Sequence, residues 1–233
     1  MKISLSLRVL LVALPLAAVS CQATPEFDYS NYVEHQPKSI LVLPPLDQTL
    51  EVDASYGSLS TLTRPLVERG FYVFPAALVD AVMRSNGLPG PSEMHQVPLS
   101  KLREIFGADA VLYVTVKNWG SSYQVLNAQS AVTLTAVLID TETGSTLWSG
   151  ERTQVHNSSS SNHSSLFSML AVAVVEQVAN SISDPSRQMS AQAAQDLFAS
   201  PAGGLLPGPY HPDHEQALAD TQLRIAEARA GAE

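Results

Sequence analysis

The chain has 233 residues, with 13 basic against 22 acidic side chains and a formal net charge of −9 at neutral pH. Nucleic-acid binding needs basic surface that displaces counterions from phosphates, so this balance argues against it, and no polybasic patch is present for an anionic membrane. A hydrophobic content of 45 % is ample for a packed core, while the single cysteine, Cys21, excludes an internal disulfide and is a poor start for a metal site.

Lys2 and Arg8 are the only charges ahead of Cys21, Val9 to Val19 is apolar throughout, and Ser20 is small. A basic start, a short apolar centre and small residues at its end form the pattern of a secretory signal. The run is well short of the ~20 apolar residues that a spanning helix needs. No permanent transmembrane anchor is expected here or elsewhere in the chain. "AVSC", residues 18 to 21, resembles the lipobox of bacterial lipoproteins, although Ala18 stands where leucine is commoner. The resemblance implies a thiol alkylated with diacylglycerol, cleavage before Cys21, and in Gram-negative bacteria a further acyl group, such as palmitate, on the freed amine. A thiolate is a strong nucleophile for such a transfer, and two or more acyl chains hold a membrane where one does so only marginally. Gln22, where an aspartate would resemble an inner-membrane retention signal, points to the outer membrane. Loss of the signal removes Lys2 and Arg8, leaving 11 basic against 22 acidic residues and a net charge of −11.

Residues 22 to 39, "QATPEFDYSNYVEHQPKS", are polar and lack a period, which predicts a tether from lipid to domain that docks its tyrosines late, if at all. "SILVLPP" reads as a short buried strand ended by Pro44 and Pro45. In "SYGSLSTLTRPLVERG", Leu59, Leu62 and Leu66 share a helical face, Gly70 is a plausible stop, and Pro65 implies a kink or a late start. "FYVFP" predicts a second strand, "AALVDAVMRSNG" a helix and "LPGPSEMHQVP" a proline-rich loop. "LSKLREIFGADAVLYVTVKNW" runs from a helix through a turn at Gly107 into a strand.

Between 130 and 139, Val132, Leu134, Ala136 and Leu138 alternate with Thr133 and Thr135, as in a sheet covered unequally on its two faces. "DTETG" is a turn and "STLWSGERTQV" returns as its hairpin partner. A polar loop, "HNSSSSNHSS", precedes "LFSMLAVAVVEQVANSIS", read as a helix apolar almost all round. The amphipathic "RQMSAQAAQDLFAS", an irregular "PAGGLLPGPYHP" and a charged, frayed helix close the chain.

These elements predict an α/β fold: a single layered domain whose mixed sheet has helical crossovers early and an antiparallel hairpin late. The boundaries are 1–20 signal peptide, 21–38 lipidated tether, 39–200 periplasmic domain, and 201–233 irregular and partly helical tail.

"GADAVLYVTV" followed by "AVLIDTETGSTLWSG" is similar to the core of the TolB amino-terminal-domain and curli-secretion-channel superfamily, where a "GAD" turn feeds a strand and a hairpin carries a "D-x-x-T-G" turn. More closely, "YGSLSTLTRPLVERGFYVFPAALVDAVMRSNGLPGPSEMHQVPLSKLREIFGADAVLYV" and "GLLPGPYHP" resemble the neisserial GNA-type lipoproteins, over most of residues 38 to 212 but not 213 to 233. The resemblance implies a TolB amino-terminal-domain-like domain hung from the outer membrane, beside a curli-channel-like lipoprotein in an envelope assembly. The superfamily also includes lipoproteins that activate penicillin-binding proteins. Kinship of fold does not by itself fix function.

Catalysis is not expected. His156 and His163 flank the serine loop and invite a hydrolase reading, but nothing resembles a nucleophile elbow or supplies an orienting third group. His211, Asp213 and His214 in "HPDH" make only a partial metal site, Glu93 and His95 lack partners, and "DTETG" is explained by a turn without an ion. No glycine-rich phosphate cradle occurs, and no cofactor is expected. Trp119 and Tyr123 in "NWGSSYQV" are the candidate interaction residues, with core packing the competing reading, and Trp148 is assigned to the core.

The leading expectation is a non-catalytic, outer-membrane-anchored periplasmic lipoprotein that meets the bilayer through acylated Cys21 and binds envelope proteins. Regulation of a peptidoglycan synthase is the alternative. The sequence leaves open the partner's identity, self-association into a homo-oligomer, and exposure at the cell surface.

Overall fold

The computed structural model describes residues 27–124, 127–157 and 185–231. In chain order the elements are α1 (Ser30–His35), β1 (Ser39–Val42), β2 (Leu46–Asp47), α2 (Ala54–Glu68), β3 (Tyr72–Val73), α3 (Ala76–Ser85), α4 (Pro91–Met94), α5 (Leu99–Phe106), β4 (Ala110–Asn118), β5 (Ser121–Gln124), β6 (Asn127–Asp140), β7 (Thr146–Asn157), α6 (Pro185–Ala199) and α7 (His214–Ala230). The expected helix at 166–183 and most of the serine loop lie outside the described residues.

One mixed sheet organises them. β1 pairs in parallel with β3 on one side and β4 on the other, and β2 continues along the same edge of β4 after Pro44 and Pro45. Parallel neighbours require crossovers: α2 joins β2 to β3, and α3 to α5 join β3 to β4. Because β3 and β4 flank β1 on opposite sides, crossovers of one hand must cover opposite faces of the sheet. The buried clusters agree. Ile40 and Val42 pack with Leu59, Leu62 and Leu66 of α2, whereas Leu41 and Leu43 pack with Val79 and Met83 of α3, Met94 of α4 and Leu102 of α5.

The second half is an antiparallel meander. β4 and then β5 pair along one edge of β6, with a register shift between Val116 and Asn118, and β7 pairs along the other edge. Val132, Leu134, Ala136 and Leu138 are buried on the face covered by α6, together with Trp148, Leu197 and Phe198. Thr133 points the other way, as its parity requires, but is buried too: Asn118 Nδ2 donates to its Oγ1 at 3.1 Å and Thr153 Oγ1 lies 2.9 Å away.

Two expectations change. α2 begins at Ala54, so Pro65 does not delay its start; it sits, buried, in the last turn. There a missing N–H forfeits a single bond near the helix end. The folded region also begins before residue 39. Tyr29 and Tyr32, placed in the tether by the sequence, are buried in the main core, and α1 packs beside β7 with Asn31 Nδ2 donating to Thr146 O at 3.1 Å.

Candidate functional site

The chemistry singled out in the sequence centres on Cys21, which lies outside the described residues. What the structure adds is the ordered chain six positions later. Residues 22 to 26 separate Cys21 from Phe27, and a fully extended chain of that length reaches about 20 Å. The first described residues are held by residues 204 to 207. Tyr29 Oη donates to Gly204 O at 2.5 Å, and Tyr32 Oη faces Leu206 O at 3.4 Å and Pro207 O at 3.3 Å. Arg69 Nη2 donates to Leu205 O. Residues 204 to 211 thus form a strap closed over the segment that follows Cys21.

The strap's other side lies on the turn between α2 and β3. Gly208 N donates to Arg69 O at 2.7 Å and Tyr210 N to Gly70 O at 3.0 Å. Gly70 has φ +81°, and a Cβ there would stand 2.3 Å from His211 N, so both conformation and space demand glycine. Burial raises the Tyr32 phenol well above its ordinary value. The same burial lowers the Arg69 guanidinium, opposed by Tyr32, Tyr29 and Asp213. The phenols and Arg69 Nη2 find backbone carbonyls, as buried polar groups require, whereas Arg69 Nε is buried without a partner.

His95, His211 and His214 make structural contacts. His95 Nε2 lies 2.9 Å from Pro44 O, its ring meets Tyr113 edge-on at 5.2 Å, and burial lowers its pKa against the pull of the Pro44 contact. In "HPDH", His214 is buried with Nδ1 2.8 Å from Pro207 O, whereas His211 Nδ1 accepts from Asp213 N at 3.2 Å. Among the described residues no group of three or more His, Cys, Asp or Glu could hold a metal. Asp140 Oδ1 accepts from Glu142 N at 3.0 Å, Thr143 N at 2.7 Å and Thr143 Oγ1 at 2.9 Å, closing the "DTETG" turn on itself. Partial burial opposes ionisation of Asp140, but these hydrogen bonds outweigh it and hold the carboxyl below its ordinary range. His156 has its backbone in β7, while its side chain and His163 lie outside the described residues.

Trp119 is half-buried against the main core, and a Cβ on Gly57 would stand 2.8 Å from its indole. Its ring thus lies against α2 at Gly57. Tyr123 has its backbone in β5, opposite Ala128. Trp148 is fully buried and donates through Nε1 to Gly203 O at 2.9 Å.

Two apolar residues that the sequence reading passed over stand in water. Leu50 and Val52, in the loop between β2 and α2, are 101 % and 93 % exposed. The signal was present as "TLEVD", apolar and acidic residues in alternation outside any strand. Among the described residues no helix is long and apolar enough to cross a membrane.

Comparison with known protein families matches this architecture from α1 through the strap but does not reach α7. The family described as "Putative lipoprotein GNA1162-like" covers residues 27–210. A protein of Neisseria meningitidis serogroup B, named "Putative lipoprotein NMB1124/NMB1162", is 42 % identical over 201 residues, 86 % of this chain and 93 % of that protein. The crystal structure of lipoprotein GNA1162 from Neisseria meningitidis aligns with 44 % identity and a TM-score of 0.51, covering 62 % of this chain and 99 % of that one. The chain belongs to the GNA1162-like lipoprotein family.

Proposed function

We propose that this lipoprotein is held by acylated Cys21 on the periplasmic face of the outer membrane, and that its domain acts without catalysis, by binding proteins of an envelope transport or assembly system. The supporting observation is the strap. Tyr29 and Tyr32 are fastened to residues 204–207, so only five residues of tether remain between Cys21 and Phe27. A lipid on Cys21 then keeps Phe27, and with it the near edge of the domain, within about 20 Å of the bilayer surface. Confinement to that layer raises the effective concentration of the domain toward any partner in the same membrane. A curli-channel-like lipoprotein is a partner of that kind. Regulation of a peptidoglycan synthase ranks below, because action far across the periplasm calls for a longer tether.

The non-catalytic reading draws support from the histidines. His95, His211 and His214 each face a structural partner rather than a nucleophile. Mass spectrometry of the mature amino terminus tests the anchor: a thioether diacylglycerol and an amide-linked acyl chain on Cys21 are expected. Cys21→Ser should move the protein into the soluble fraction. An unmodified thiol, or a start at another residue, overturns the proposal. Crosslinking in intact envelopes that recovers no partner protein overturns its second half.

A further inference from the structure

We infer that the loop between β2 and α2, with Leu50 and Val52 at its tip and Tyr56 and Arg84 beside it, is the docking element for a separate folded protein presenting an apolar cleft rimmed by basic side chains. This rests on the protein-binding reading above and names its surface.

Position comes first. β1 starts at Ser39, whose backbone N–H donates to Asp109 beside α1, and β1 with β2 runs from there to Asp47. Nine residues of extended chain span roughly 25–30 Å. The loop therefore lies at the end of the sheet opposite α1, the end away from the anchor.

Burying a leucine and a valine would stabilise the fold, and this loop forgoes both although it is well braced. Asp47 Oδ1 accepts from Thr49 N at 2.7 Å, Thr49 Oγ1 from Glu51 N at 3.1 Å, Glu51 O from Ala54 N at 3.1 Å, and Ser55 Oγ donates to Pro45 O at 2.6 Å. One turn into α2, Tyr56 Oη donates to Asp80 Oδ1 at 3.0 Å and accepts from Arg84 Nη2 at 2.5 Å, while Arg84 Nε donates to Asp80 Oδ2 at 2.8 Å. The Arg84 guanidinium lies 5.6 Å from the Tyr56 ring centroid. Tyrosine and arginine carry much of the energy of protein interfaces, and here Asp80 fixes both side chains in advance, which lowers the entropy lost on binding.

Charge selects the occupant. Asp47, Glu51 and Asp53 are exposed around Leu50 and Val52. A bilayer of anionic lipid is repelled by them and lies at the other end of the domain. A second copy meeting the loop face to face would set these carboxylates against their own kind, which costs affinity. An apolar cleft with lysine or arginine at its rim satisfies both features.

The test uses the full lipidated chain in its native envelope, with photoreactive p-benzoylphenylalanine at position 50 and, separately, at Val155 on the open face of the sheet. Position 50 is expected to join one distinct polypeptide. That polypeptide, purified, should bind the wild-type chain more weakly as salt rises, and should lose roughly 30-fold or more in affinity for the doubly substituted Leu50→Asp, Val52→Asp chain. Both substitutions are in an exposed loop, so the melting temperature should not move. Adducts only to lipid, only to a second copy, or none at position 50 overturn the inference, as does a captured protein that binds the double variant equally well. Capture at Val155 with silence at position 50 discards this surface and leaves the protein-binding reading standing; silence at both discards both.

Discussion

A Cβ on Gly70 would lie 2.3 Å from the backbone nitrogen of His211, a residue 141 positions later in the chain. The strap and the α2–β3 turn are in contact at a point where no side chain fits. Gly70→Ala is therefore expected to be costly twice over. The left-handed backbone at φ +81° costs roughly 1–2 kcal/mol for alanine, and the overlap adds roughly 1–3 kcal/mol. Urea denaturation should show a loss of about 2–5 kcal/mol with an unchanged slope. A loss below 0.5 kcal/mol (roughly the background of a surface substitution) would mean that the strap does not close over this turn.

Gly57→Ala sets two effects against each other. Alanine in a helix interior ordinarily gains about 1 kcal/mol over glycine, but its methyl would stand 2.8 Å from the Trp119 indole. The ring is large and half-buried against the core, and overpacking costs roughly 1–3 kcal/mol, so the overlap should win. A net loss of about 1 kcal/mol and a red shift of Trp119 emission are expected, with Trp148, fully buried, unaffected. A gain in stability with no spectral shift would show that Trp119 does not rest on α2.

How much of this was legible beforehand divides by the range of the forces involved. The alternation of Val132, Leu134, Ala136 and Leu138 reports a local period, and the sheet follows it. The "DTETG" turn closes on its own side chains, so sequence suffices there too. The strap is different. "PAGGLLPGPYHP" has no period, and its burial of Leu205 and Leu206 depends on phenols supplied by residues 29 and 32, some 175 positions earlier. Nothing within either segment reveals the other. The same holds for Thr133, whose polar side chain is buried because Asn118 and Thr153 on neighbouring strands answer its hydroxyl. Leu50 and Val52 were visible only as a departure from pattern, apolar residues in a segment with no element to belong to.

His95 makes stability depend on pH. Burial holds its folded pKa below the ordinary 6.5, so the unfolded chain takes up the proton first. Stability is then complete above about 6.5 and declines as pH falls toward the folded value. Melting temperature should fall between pH 7 and about pH 5, while His95→Gln, which can still donate to Pro44 O, should flatten that decline. The low Asp140 carboxyl acts in a separate window: it adds stability above its ordinary 3.8, lost at more acid pH. A wild-type decline from pH 7 that persists unchanged in the glutamine variant would assign it to another group.

Two truncations separate the strap from the helix that follows it. A chain ending at Pro212 keeps the bonds of residues 204–210 to Tyr29, Arg69 and Gly70, and loses α7, which packs beside α1 and whose Leu218 and Thr221 are buried. It should still unfold cooperatively, at a cost of about 2–4 kcal/mol for the lost apolar contacts. A chain ending at Ser200 also loses Leu205 and Leu206 from the core. It strips Tyr29, Tyr32 and Trp148 Nε1 of their acceptors, leaving buried donors unmade at roughly 1–3 kcal/mol each. Against a total stability of about 5–15 kcal/mol for such a domain, that sum is enough to abolish a cooperative melt. Proteolysis should then reach Tyr29 and Tyr32 first, since they have lost the surface that held them. If the shorter chain melts as sharply as the longer one, residues 201–212 are an accessory, and α1 is fixed to the domain by something other than this strap.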